Sequence, residues 1–246
     1  MIAVAAVVTF LLTTVMAMAG VGAAFVLIPV FLALGVELHT AMATALLLNA
    51  VAMTVASVTF VRKRLVAWPL VLPMLALAVL TSPLGVRVAQ QMERTPLLWL
   101  FVGFLVFASV MMLCYRPKPR PAQGSTAAAL ALGLPVGAVA GFVGGLLGVG
   151  GGNIIVPALV ASGLEPKRAA ASASFVVLFA SLAGFLAHAT VAHIGTTLLF
   201  ATAVASAAGA ALGAWLASER LRAEQLKKTI ALVLVAVAAK TAWDLL

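Results

Sequence analysis

Long apolar segments dominate this sequence, and six of them are bounded by charged residues: 39–61, 66–89, 97–115, 167–188, 194–217 and 229–245. A helix needs ~20 mostly apolar residues to cross the hydrocarbon core of a bilayer, and these segments approach or exceed that length. Apolar residues make up 65% of the chain and charged residues 9%, against about 25% charged residues in a soluble domain. The sequence therefore predicts an all-α, polytopic transmembrane protein, and it excludes a soluble enzyme, a disordered chain and a disulfide scaffold.

The charge balance is strongly basic, with 15 Lys and Arg residues, 6 Asp and Glu residues and a formal net charge of +9. In a soluble domain this balance would suggest nucleic-acid binding. Here the basic residues lie in short clusters between apolar segments, as they do in the cytoplasmic loops of membrane proteins. We therefore predict the lipid bilayer and a small solute as partners, and no nucleic acid. The oligomeric state, a homo-oligomer included, stays open.

An internal duplication relates two further apolar regions, 2–35 and 127–163, which glycine and proline interrupt. A shift of 128 residues aligns scarce residue types, which chance matches between alanines would not do: Gly20-Val21-Gly22 with Gly148-Val149-Gly150, Pro29 with Pro157, Gly35 with Gly163 and Glu37 with Glu165. We predict a first membrane repeat over 1–115, a cytoplasmic linker over 116–126 and a second membrane repeat over 127–246. Residues 1–19 align with 129–147, so we expect them to belong to the mature fold and not to a cleaved signal.

The basic clusters decide how the two interrupted regions cross the membrane. If each region crossed once, the clusters would divide evenly between the two sides. If each region is a helical hairpin, four clusters holding twelve of the 15 basic residues share one side: 62–64, 116–120, 167–168 and 220–228. The positive-inside rule favours the hairpins. Each half then has a hairpin and three single spans, so the halves enter the membrane from opposite sides and form an inverted repeat.

The candidate substrate site lies at the glycine-rich turns of the two hairpins. Five glycines between 145 and 152 free backbone groups that lipid cannot satisfy, so this segment must line a cavity or pack inside protein. A short helix that restarts near Asn153 would direct its unpaired N–H groups at a small anion. Interrupted helices at matching positions of two repeats are typical of transporter sites. The candidate substrate-binding residues are Gly20, Gly22, Ala23, Ala24, Thr44, Asn49, Gly148, Gly150, Gly151, Gly152, Asn153, Ser172 and Ser174.

Each of these residues also has a purely structural interpretation. Glycines at every fourth position, such as Gly133 to Gly145 and Gly209 to Gly213, form helix-packing faces, and we assign them to packing. For the run 148–152 we judge packing insufficient, because packing does not require consecutive glycines. Asn49 can equally bind substrate or bridge two helices. The hydroxyls of Thr44, Ser172 and Ser174 can reach an oxyanion or bond back to their own helix.

Other polar residues receive structural assignments. Asn153 can cap its helix or contact a ligand. Glu37 and Glu165 are expected at the membrane interface or as helix caps, and His188, at the end of a span, is expected to be solvated. No His, Cys or carboxylate spacing suits a metal. We predict no metal, no cofactor and no catalytic residues.

The pattern Gly144-x-x-x-Gly148-x-Gly150-Gly151-Gly152-x-x-x-x-Pro157, with its partner Gly22 to Pro29, resembles the TauE/SafE sulfite-exporter family of permeases. The resemblance extends over nearly the whole chain in length, duplication and loop placement. It implies transport of sulfite, an organosulfonate or a related sulfur-containing anion across the bacterial cytoplasmic membrane, in the direction of export. The chain departs from the pattern in its first half, where Ala23 and Ala24 replace the glycines of the second turn.

The sequence thus favours a secondary transporter that works by alternating access around the two hairpins. An anion channel with the same site is the alternative. An enzyme is disfavoured because no nucleophile, base and carboxylate or metal ligands occur together inside the spans.

Overall fold

The computed structural model describes residues 2–114, 126–188 and 196–219, with short helical pieces at 235–236, 238–239 and 241–243. These ranges are helical throughout apart from turns and contain no strand. Within these ranges the nine complete helices are α1 Ile2–Met18, α2 Ala24–Ala33, α3 Leu38–Arg62, α4 Trp68–Gln91, α5 Arg94–Cys114, α6 Thr126–Leu146, α7 Gly152–Ala161, α8 Pro166–His188 and α9 Thr196–Glu219. The predicted all-α class is therefore confirmed.

Six of these helices are long and apolar enough to cross a membrane, namely α3, α4, α5, α6, α8 and α9. α2 and α7 have 10 residues each, which at 1.5 Å per residue reach only about half of the ~30 Å hydrocarbon core. The protein is therefore a multi-pass membrane protein with two short, buried helices. Most of the predicted linker 116–126 and of the predicted span 229–245 falls outside the described residues.

The glycines that recur at every fourth position pack helices together, as predicted. Along α6, a Cβ added at Gly137, Gly141 or Gly145 would overlap backbone atoms of α4. Their neighbours, Met74, Ala78 and Ser82, rise in the same order, so α4 and α6 run parallel. Gly209 and Gly213 of α9 pack in the same way against α1. These contacts let the helix backbones approach closely where lipid provides no hydrophobic driving force.

Side-chain contacts identify the two ends of the helix assembly. At one end, Lys63 Nζ lies 2.6 Å from Ser218 Oγ, and Lys167 Nζ lies 2.6 Å from the Ser218 carbonyl oxygen. We call this the basic end. At the opposite end, the rings of His39 and His188 lie 6.0 Å apart between centroids. α3 and α8 therefore lie antiparallel between the two ends.

The second hairpin, α6 with α7, starts and finishes at the basic end. α6 is parallel to α4, which begins beside Lys63, and α8 begins with Lys167 at that same end. The first hairpin, α1 with α2, leads into α3 at the opposite end. The 128-residue shift also carries the bounds of α2 onto those of α7. These contacts support an inverted repeat, which stays a prediction for the complete halves.

Glu37 caps the start of α3, which is one of the two roles that the sequence predicted for it. Its carboxylate accepts hydrogen bonds from the backbone N–H groups of His39 and Thr40, at 3.0 and 2.9 Å. Partial burial raises the pKa of Glu37, but these two bonds and the nearby His39 side chain outweigh burial, so the pKa lies below its ordinary value. The charged carboxylate therefore stabilises the N-terminus of the helix.

Candidate functional site

Two glycine turns interrupt the hairpins, and both use the left-handed backbone region. In the first turn Gly20 and Gly22 have φ values of 69° and 80°. In the second turn Gly148, Gly150 and Gly151 have φ values of 70°, 75° and 78°. Residues other than glycine rarely adopt such φ values. Each turn leads directly into a short helix, α2 or α7, whose first N–H groups have no carbonyl of their own helix to bond.

Asn49 lies between the two turns, about halfway along α3. A Cβ added at Gly22 would overlap Asn49 Oδ1, and one added at Gly150 would lie 2.7 Å from Asn49 Nδ2. The amide donates a 2.9 Å hydrogen bond from Nδ2 to Ser181 Oγ of α8. Asn49 Oδ1 is buried and has no hydrogen-bond partner in the part of the chain that the structure describes. The turns of both hairpins and the helices α3 and α8 thus meet at Asn49.

Local structure accounts for every glycine of the run 148–152, which corrects our judgement that packing was insufficient. Three of them require positive φ. A Cβ at Gly151 would overlap the Ala140 carbonyl, and one at Gly152 would lie 2.5 Å from the Val21 carbonyl oxygen of the first turn. The glycines therefore shape and join the turns, and their identity alone is no sign of a ligand. Gly20 has the same role, since its added Cβ would overlap Ala170.

The alanines of the first turn are also explained by backbone conformation. Ala23, the N-cap of α2, has φ −100°, which any residue adopts, whereas its counterpart Gly151 has φ +78°. Ala24 is the first residue of α2 and is fully buried. The backbone of the first turn therefore takes positive φ at two glycines, where that of the second takes it at three.

Asn153 lies in the first turn of α7 and is buried, with 2% of its surface exposed. The helix begins at Gly152, its N-cap is Gly151, and no side chain caps it. The capping role considered for Asn153 is therefore wrong. Neither Asn153 Oδ1 nor Nδ2 has a hydrogen-bond partner among the described residues. A buried amide costs free energy unless it is paired, so Asn153 is a second candidate for ligand contact.

The three hydroxyl candidates make structural bonds. Thr44 Oγ1 donates to the Thr40 carbonyl at 2.7 Å, and Ser174 Oγ donates to the Ala170 carbonyl at 2.8 Å. Ser172 Oγ accepts a 2.9 Å bond from the backbone N–H of Ala67, the residue before α4. Thr44 and Ser174 thus follow the alternative of bonding back to their own helix, whereas Ser172 bonds to the start of another helix.

Two features of the spans escaped sequence reasoning. Ser181, the partner of Asn49, was not singled out, although a serine in the middle of an apolar span is itself a signal. His188, expected to be solvated, is fully buried, so that expectation is wrong. Its ring lies against His39, and both of its nitrogens lack partners within the described ranges. Packing between α3 and α8, which a single segment does not reveal, brings the buried His188 ring beside that of His39.

The chemistry offered at the turns is that of neutral donors. The described residues contain no group of three His, Cys, Asp or Glu side chains able to hold a metal. Instead, two asparagine amides and the starts of two short helices are buried at mid-span. Helix N-termini carry a partial positive charge, and amide N–H groups bind oxyanions without a buried counter-charge. The arrangement suits a small anion that sheds its water on entering.

Comparisons with known proteins point to one family. A sequence model of the family described as "Sulfite exporter TauE/SafE" matches residues 5–241. Over 114 residues the chain is 27% identical to "Probable membrane transporter protein YunE" of Bacillus subtilis (strain 168), covering 46% of this chain and 41% of that protein. Over 100 residues it is 34% identical to "Probable membrane transporter protein ORF9" of Sinorhizobium sp, covering 41% of this chain and 38% of that protein.

Plant proteins match over a shorter stretch. The chain is 44% identical over 71 residues to "Sulfite exporter TauE/SafE family protein 1" of Arabidopsis thaliana, which covers 28% of this chain and 16% of that protein. The chain thus spans less than half the length of the curated relatives that it matches. No solved structure matches the chain significantly.

Proposed function

Because the chain belongs to the TauE/SafE sulfite exporter family of membrane transporters, we propose that it is a secondary transporter for a small sulfur-containing anion. Sulfite and short organosulfonates are the substrates that we propose, moved across the bacterial cytoplasmic membrane in the direction of export. The names of the matched plant relatives support sulfite, and the buried neutral donors at the turns support a small anion. The substrate contacts the two turns and the amides of Asn49 and Asn153.

The observation that carries this proposal is the unsatisfied amide of Asn49 between the two hairpins. An asparagine amide keeps its shape when its oxygen and nitrogen exchange places, and the hydrogen-bond network decides the orientation. Ser181 Oγ can donate to the amide oxygen as well as accept from the nitrogen. The exchanged orientation keeps this bond and directs the NH₂ group at Gly22. An anion at the turns would select that orientation.

Burial at the site supports alternating access. Asn49 and Ser181 are fully buried and Asn153 is 2% exposed, so substrate reaches none of them from either end without movement of the helices. We propose that this closed state lies between outward-open and inward-open states, and that the hairpins move relative to the pair α3 and α8. A channel is the alternative, and it would need a continuous open path in one state.

Replacing Asn49 tests the site. In Asn49→Leu the side chain keeps a similar size but loses both polar atoms, so we expect sulfite and organosulfonate efflux from proteoliposomes to fall by roughly 10- to 100-fold, the effect of losing a hydrogen bond to a charged ligand. Ser57→Ala is the matched control, because Ser57 is buried on the same helix and its hydroxyl also lacks a partner among the described residues. We expect its efflux to stay unchanged.

Normal efflux by a well-folded Asn49→Leu protein would contradict the assignment of Asn49 to the substrate site. No efflux of any sulfur-containing anion by the parent protein would contradict the substrate class. Efflux accelerated by unlabelled substrate on the other side of the membrane is expected of a carrier, whereas a channel gives flux without this exchange.

A further inference from the structure

A cleft of about 360 Å³ lies at the opposite end, between α2 and the start of α5. Its polar lining comes from Arg94, Thr95 and Thr241, and its apolar lining includes Leu98 and the last turns of α2. Arg94 is the first residue of α5, three positions after α4 ends, and its side chain is exposed. The neighbouring carboxylate of Glu93 does not line the cleft. Among the described lining residues, the charged side chain is therefore that of Arg94, which is positive.

A second, much smaller cavity lies next to the cleft, on its side toward the glycine turns. It measures about 10 Å³, and its lining includes Leu98, Phe101, Leu147 and Met42. Leu98 lines both cavities. At its inner side, Met42 packs on the second turn, since a Cβ added at Gly148 would lie 2.9 Å from Met42 Cβ. A space of this size holds one water molecule at most.

We propose that the Arg94 cleft is the outer anion vestibule of this protein, and that Leu98 and Met42 form an apolar layer that separates it from the glycine turns in the closed state. The proposal rests on the proposed function, because the vestibule serves the same anion. A guanidinium binds the oxygens of a sulfonate, sulfite or phosphate group in pairs, and a cleft of this size admits such an ion with part of its water. A purely apolar layer excludes a hydrated anion until the helices move.

The vestibule is tested by the charge selectivity of a cysteine placed in it. Thr95→Cys is made in a Cys114→Ala background and reconstituted in phosphatidylcholine, and its rates of reaction with anionic and cationic methanethiosulfonates are compared. We expect Arg94→Gln to lower the ratio of the anionic to the cationic rate by roughly ten- to thirtyfold, because loss of one charge at about 4–6 Å in water changes each rate by about three- to sixfold in opposite directions. Arg87→Gln is the matched control, since Arg87 is also exposed on the outer part of α4.

Competition identifies the occupant. A short organosulfonate replaces sulfite here, because sulfite cleaves thiol adducts. The organosulfonate should slow the reaction of the anionic reagent with Thr95→Cys when Arg94 is present and should not slow it in Arg94→Gln. An unchanged rate ratio in Arg94→Gln, or an equal change in Arg87→Gln, would overturn the proposal. Slowing by added phosphatidylglycerol, as large as that by the organosulfonate, would assign the cleft to a lipid headgroup and would also overturn it.

The apolar layer is tested on its inner side. Met42→Cys should react slowly with the anionic reagent from outside, and Leu98→Ala should raise that rate at least several-fold by opening the layer. Leu100→Ala, an exposed residue on the same helix, should not. Equal rates in all three proteins would refute the layer. If the rate ratio depends on Arg94 but the protein transports no sulfur-containing anion, the proposed function alone is refuted. If the protein transports such an anion but the rate ratio does not depend on Arg94, the vestibule alone is refuted.

Discussion

Asparagine and hydroxyl side chains behave differently inside the spans of this protein. A serine or threonine hydroxyl can bond to a carbonyl of its own helix, as those of Thr44 and Ser174 do, although the hydroxyls of Thr9, Thr13 and Ser57 have no partner among the described residues. Asn49 and Asn153 retain amide atoms without partners among the described residues. Burying such atoms costs free energy, so they are expected where a ligand or water supplies the missing bond. The two asparagines also lie at the glycine turns, which makes them stronger site candidates than the unpartnered hydroxyls of α1 and α3.

A glycine pair separates the effect of backbone conformation from the effect of close packing. Gly35 and Gly151 have similar φ values, 81° and 78°, but a Cβ at Gly35 meets nothing within 4 Å, while one at Gly151 overlaps the Ala140 carbonyl. We expect Gly35→Ala to lower the free energy of unfolding by about 1–2 kcal/mol, the cost of left-handed backbone, and Gly151→Ala to lower it clearly further. Thermal melting of the purified variants measures both. Equal melting temperatures would contradict the close contact at Gly151.

Two candidate serines, Ser172 and Ser174, lie on α8, and only Ser172 bonds to the start of α4. Ser172 Oγ accepts the N–H of Ala67, a buried group at the start of α4, whereas Ser174 bonds within α8. Ser172→Ala leaves a buried backbone N–H without a partner, so we expect it to destabilise the protein by about 1–3 kcal/mol. Ser174→Ala, the matched control, should have little effect. Denaturant titration compares them, and a Ser174→Ala protein as unstable as Ser172→Ala would contradict this assignment.

The short helices have a distinct role at this scale. α2 and α7 each follow a glycine turn and are too short to span, so they bring their N-termini to mid-membrane depth. A continuous helix would keep those N–H groups bonded and would offer nothing to an anion. In the function that we propose, the interruption is therefore what gives these otherwise apolar segments a binding site.

The whole molecule is organised by its two ends. Lys63 and Lys167 share Ser218 at the basic end, which the positive-inside rule assigns to the cytoplasm. We expect single cysteines at Arg64 and Lys167, in a Cys114→Ala background, to react with a membrane-impermeant reagent only from the cytoplasmic side, and one at Glu93 only from outside. Labelling of position 167 from outside would refute the hairpin topology.

The sequence by itself determined the helical membrane class, the two interrupted hairpins and the packing roles of the periodic glycines. These follow from the free energy of transferring a segment into lipid and from its own backbone preferences, which are local properties. Only the tertiary structure decided that Asn49 pairs with Ser181, 132 residues away, that Ser172 serves the start of α4, and that His188 is buried. Such contacts depend on which helix faces lie together, and an almost uniformly apolar segment does not specify its facing partner.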